Sequence, residues 1–182
     1  APDANGALLF ARAAIAGGDT QLARRLTEAA RAAGVDQAAM APLDAALAVM
    51  NNARGEQALM AVRRRIDAGG ASGARGAARD VAILTALGLP SDGAVQSFLL
   101  ANAPQGGARA DAGAMAALAS AAERGAMGEA ALLAVVAAGE GGPARLDADS
   151  LASLLRALRT VGLEDDARRI AVEALLAGTP AA

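Results

Sequence analysis

Five glycines, Gly34, Gly70, Gly106, Gly142 and Gly178, follow one another at intervals of 36 residues. A break at a fixed period of this size is the signature of a repeated supersecondary unit. A second series, Gly18, Gly55, Gly88, Gly125 and Gly162, falls close to the midpoints of the first. Each period therefore reads as helix, turn, helix, turn. The expected organisation is a single helical-repeat domain over residues 1–182, with approximate repeats 1–34, 35–70, 71–106, 107–142 and 143–178. An alanine recurs five positions after several midpoint glycines, at Ala23, Ala130 and Ala167. A small side chain there lets one helix approach another closely.

What lies between the glycines is helix-forming. Alanine accounts for 56 of the 182 residues, Phe10 and Phe98 are the sole aromatics, and β-branched residues are sparse. Alanine has the highest helix propensity, and strand formers are what this chain lacks. The expected fold is all-α: a right-handed α-solenoid of about five antiparallel hairpins, with helices of about 12 to 16 residues each. Its core is expected to consist of many small contacts around a few large residues.

Along the chain, the first hairpin places Leu8, Leu9 and Ile15 before Gly17-Gly18, then restarts at Asp19 or Thr20 as a cap. The second carries Met40, Leu43, Leu47 and Met50 on one stripe, with Pro42 marking a late start or a kink. Its partner helix has Leu59, Val62 and Ile66 on one face. Residues 69–76 read GGASGARG and are expected to form the loosest linker, a hinge. The third hairpin carries Val81, Leu84 and Leu87, then Pro90-Ser91-Asp92 as a start signal for a helix through Phe98. In the fourth, Met115, Leu118, Leu132, Leu133 and Val136 are expected in the core, and 130–139 is read as a short buried helix. The fifth sets Leu151, Leu154, Leu155 and Leu158 against Ile170, Ala174 and Leu175.

The segments GGDTQLARRLTEAARAAG at Gly17 to Gly34 and VGLEDDARRIAVEALLAG at Val161 to Gly178 resemble the turn and second helix of tetratricopeptide-like repeats. The resemblance lies in the small and apolar positions. The chain departs from that family in its 36-residue period, its missing Trp and Tyr positions and its glycine-rich breaks.

The side-chain inventory restricts the chemistry. Histidine and cysteine are absent, which removes imidazole bases, Cys-His and Ser-His-Asp arrangements, thiolate metal sites and disulfides. Asp147 and Asp149 in LDADS lack the glycine and the spacing of an EF-hand and are read as helix caps, as Asp165 and Asp166 are read as first-turn charges. The GGASGARG segment has no P-loop Lys-Ser/Thr ending. The expectation is a chain that is not an enzyme, with no catalytic, cofactor or metal residues.

The net charge of −2 and the near absence of stacking aromatics argue against nucleic acid as a partner. No stretch approaches the roughly 20 apolar residues that span a bilayer. All 17 basic residues are arginine, a composition that fits a GC-rich bacterial genome. The run Arg63, Arg64, Arg65 is the densest basic cluster and the candidate partner-binding site, read as the rim of a groove. The expected function is a non-catalytic protein-binding or assembly module. The alternative is a helical accessory region of a larger cell-envelope enzyme such as a lytic transglycosylase. The start Ala1-Pro2-Asp3-Ala4, without Met, is what signal-peptide removal would leave, and a fragment of a longer chain explains it equally well; the expected location is the periplasm, with the cytoplasm as the alternative.

Overall fold

The computed structural model describes residues 3–104 and 106–178 and is all-helical. Ala1 and Pro2, on which the reading of the chain start partly rests, lie outside them. Among the described residues the helices are α1 (Ala4–Ala16), α2 (Thr20–Ala32), α3 (Gln37–Met50), α4 (Gly55–Ala86), α5 (Gly93–Ala101), α6 (Ala112–Glu123), α7 (Met127–Ala138), α8 (Ala148–Thr160) and α9 (Glu164–Ala177). A single 3₁₀ turn, Pro143–Arg145, precedes α8.

Local sequence explains where these helices start and stop. Six begin at an aspartate whose carboxylate accepts a backbone N–H of the first turn: Asp3, Asp19, Asp36, Asp92, Asp111 and Asp147. Such caps satisfy donors that the helix itself cannot, and place negative charge at the positive end of its dipole. All ten glycines of the two series lie at positive φ. The α1, α2, α4, α6 and α8 ends share one closure, in which the residue after the glycine donates back to a carbonyl five residues earlier, as in Leu89 N to Leu84 O at 3.1 Å and Leu163 N to Leu158 O at 2.9 Å. The α3 end makes the same closure with Asn52 in the glycine's place.

The GGASGARG segment is not a loose linker. It lies inside α4, interrupted at Gly70 alone, where φ 52° and ψ −165° take the chain out of the helix for one residue. The mirror-β region that Gly70 occupies is open only to a residue without a Cβ. One kink thus does the work expected of a linker, and two helical segments meet there without intervening coil. Pro42 likewise lies within α3, which starts at Gln37 and runs through it.

The helices pair as hairpins, but the packing differs from that of a linear stack. A solenoid repeat touches only its sequence neighbours. Here α9 packs on α8, α3 and α1, while α8 packs on α4, α6 and α7. The last hairpin is therefore surrounded by the others. Its large residues occupy the centre: Leu151, Leu154, Leu155 and Leu175 are fully buried, together with Leu43, Ile83, Leu84 and Leu118 from the surrounding helices. Alanines complete the close approach, since Ala23, Ala130 and Ala167 all have no exposed surface.

Arginines tie the hub to its neighbours. Arg79 of α4 is wholly buried, and its guanidinium donates to Ala174 O and to Ala144 O, both at 3.1 Å. Arg12 of α1 donates to Leu176 O, and Arg159 of α8 donates to Ala86 O at 2.9 Å. Three of these acceptors, Ala174 O, Leu176 O and Ala86 O, belong to last turns, where helix carbonyls lack intrahelical donors. Beside Arg79, buried Asp80 accepts from Arg65 Nε at 2.6 Å. Burial raises the Asp80 pKa, and the Arg65 and Arg79 charges oppose that rise.

A second tie orders the approach to α8. Ala108 and Leu146 form a parallel bridge, with Ala108 N donating to Arg145 O and Asp147 N to Ala108 O, both at 2.8 Å. The two backbones come so close that a Cβ on Gly107, itself at φ +93°, would lie 2.6 Å from Asp147 N. Only glycine fits there. Ser150 Oγ then accepts from Ala110 N inside the same junction.

Candidate interaction surface

The exposed apolar face of α7 is the feature that folding alone does not explain. Its sequence, MGEAALLAVVAA, is apolar around nearly the whole circumference. Alanines face inward, with Ala130, Ala134 and Ala137 buried against the body. The larger residues face outward: Leu132 and Val135 are 72% exposed and Val136 61%. Spaced at i, i+3 and i+4, these three share one helix face. Leu9 and Phe10 on α1 and Leu100 on α5 are exposed as well. The α7 face has a groove at its side.

That groove, about 360 Å³ in volume, runs between α7 and the α8–α9 hairpin. One wall is Ala131, Val135 and Ala138; the other is Leu154, Leu158, Leu163 and Ile170, and the turn Gly139, Gly142, Pro143 closes one end. The one charged residue in its lining is Asp166. Its carboxylate is half-exposed and meets Arg169 only at 3.8 Å, so much of its charge faces outward. Small residues on α7 open the groove and leucines on α8 give it an apolar floor. Asp166 lies where a cationic side chain would approach.

The expectation that Leu132 and Val136 belong to the core is therefore corrected, and so is the reading of 130–139 as a buried helix. Leu118 is fully buried, while Met115 and Leu133 pack against the core in part. A signal for the true orientation was present. Ala130 has to face inward as the small residue after the Gly125 turn, and helical spacing then carries Ala134 and Ala137 to the same side. Leu132 and Val136 are left on the other.

The arginine run is divided among different tasks. Arg65 has a side chain only 10% exposed and is committed to Asp80. Arg63 pairs with Asp92 at 2.5 Å across to the α5 cap. Arg64 lies within the electrostatic reach of Asp44, whose main ion-pair partner is Arg31. Successive helical residues turn by about 100°, and Arg63 and Arg65 accordingly pair with two separate carboxylates. Arg63 and Arg64 remain exposed, while Arg65 is turned inward.

Of the two aspartates read as caps of α8, Asp147 is the cap and Asp149 lies in the first turn instead. Asp147 Oδ1 accepts from Ser150 N at 2.7 Å, and Asp165 and Asp166 lie in the first turn of α9. Among the described residues no group of three or more acidic side chains is placed to hold a metal ion, and no helix is long and apolar enough to cross a membrane. Comparison with protein-family models, with curated proteins and with solved structures finds no match to this chain.

Proposed function

We propose that the protein is a non-catalytic binding module that receives an amphipathic helix of a partner protein along α7. The observation that carries this reading is the inverted packing of α7, which buries its alanines and exposes Leu132, Val135 and Val136 beside an apolar groove. Leaving a valine or leucine in water forgoes about 1.5 to 3 kcal/mol that full burial would supply. Three such residues on one face offer a partner a strong apolar anchor.

The form of the groove favours a helical occupant. A trough flanked by one helix on one side and a hairpin on the other matches a rod presenting apolar residues at i, i+3 and i+4. Asp166 adds a charge requirement, so the partner helix carries an arginine or lysine beside its apolar stripe. The binding surface belongs to hairpins four and five rather than to the continuous concave face of a right-handed solenoid. A chain without histidine or cysteine, expected from its inventory to be non-enzymatic, suits this role.

The test is photo-crosslinking from a probe residue at Val135 in the native cell, followed by affinity measurement with the purified partner. Leu132→Asp combined with Val136→Asp is expected to weaken binding by at least about tenfold, equivalent to about 1.4 kcal/mol, with an unchanged far-ultraviolet spectrum. Unchanged affinity would overturn the proposal. So would light scattering that shows the wild type as a dimer and the double variant as a monomer, since the occupant would then be a second copy.

A further inference from the structure

A second, polar cavity of about 220 Å³ lies where α3 ends, α4 begins and ends, α8 ends and α9 begins. It brings together Asn52, Arg54, Arg159 and Arg168, with Glu164 as the one carboxylate in its lining. We propose that this cavity binds a small oxyanion, a phosphate or carboxylate group, held chiefly by Arg54 and Arg159.

The charge balance supports an anion. Arg168 is neutralised locally, donating to Asp165 at 2.7 Å and to Glu164 at 2.9 Å. Arg159 spends Nη1 on Ala86 O, and among the described residues no carboxylate pairs with its Nη2 or Nε. The Arg54 guanidinium makes no hydrogen bond or ion pair among the described residues. Arg54, Arg159 and Arg168 against Glu164 and Asp165 leave one net positive charge at a polar cavity, with planar donor sets suited to an oxyanion.

Backbone geometry supplies an independent sign. Asn52, at φ 49°, is the one non-glycine at positive φ among the described residues. Every other closure of this type uses glycine, which adopts that conformation at lower cost. Asparagine brings an amide into the cavity, where its oxygen meets Arg168 Nη2 at 3.4 Å and its nitrogen can donate. A residue less favourable for the turn has been placed where its side chain lines the cavity.

Titration of the ¹⁵N-labelled protein with sodium phosphate and separately with sodium acetate, against sodium chloride at equal ionic strength, tests the assignment. Saturable amide shifts confined to residues 52–57, Gly88 and Arg159 are expected with at least one oxyanion, and the responding anion identifies the class. Arg54→Gln, an exposed change that leaves every hydrogen bond described above in place, is expected to weaken that binding by about fivefold. Shifts that chloride reproduces, or an affinity unchanged in the variant, would overturn the proposal.

Discussion

Removing Arg79 tests whether buried hydrogen bonding holds the last hairpin in place. Its guanidinium reaches two carbonyls, Ala174 O in α9 and Ala144 O before α8, and lies 3.9 Å from Asp80. Hydrogen bonds from a charged donor contribute about 1.5 to 3 kcal/mol each, and breaking one member of a buried charged network costs about 3 to 5 kcal/mol. Arg79→Ala is therefore expected to lose about 3 to 5 kcal/mol, which is a large part of the stability of a chain this size. Arg79→Met fills most of the volume without donating and should recover the packing share alone, while Arg79→Lys should fall between. Urea unfolding followed by circular dichroism at constant slope measures all three. A loss below about 1 kcal/mol in Arg79→Ala, or an Arg79→Met as stable as the wild type, would refute the reasoning that these bonds anchor the hub.

The remaining predictions use the same readout. Leu154→Ala, at a fully buried position, should cost about 2 to 5 kcal/mol, whereas Leu132→Ser on the exposed α7 face should change stability by less than about 0.5 kcal/mol. Gly107→Ala should be destabilising and should release the Ala108–Leu146 bridge, seen as faster amide exchange at Asp147. Burial raises the folded-state pKa of Asp80 above the ordinary carboxylate value. A carboxylate shifted that way favours folding when protonated, so its contribution is present below the unfolded pKa and is lost as pH rises through the folded one. The stability of the wild type relative to Asp80→Asn should accordingly increase as pH falls from neutrality towards the ordinary carboxylate range, and melts that hold the difference constant would contradict this assignment.

Helix content and punctuation were legible in the sequence because their causes are local. An alanine-rich segment is helical on its own propensity, an aspartate before it satisfies the first amides, and a glycine after it takes the left-handed turn. Leu154 and Leu158 could be placed in the core from their spacing, as could Ala23, Ala130 and Ala167 from their distance to a turn. The outward face of α7 was harder to read, because a helix apolar on all sides carries no amphipathic contrast to orient it. Its alanines and its larger residues compete for the same interior, and the close approach of α6 and α8 decides for the alanines.

The chain by itself determined the helices, their caps and the exclusion of imidazole and thiol chemistry, since each depends on residue type and near neighbours. Only the tertiary structure decided that the fifth hairpin lies among the others, that Gly70 is a kink within α4 and that Arg65 turns inward to Asp80. The same holds for Arg79, whose acceptor Ala174 lies 95 residues away in sequence. Periodicity specifies which face of a helix is apolar; which distant helix meets that face depends on how volumes, kinks and buried charges are satisfied together.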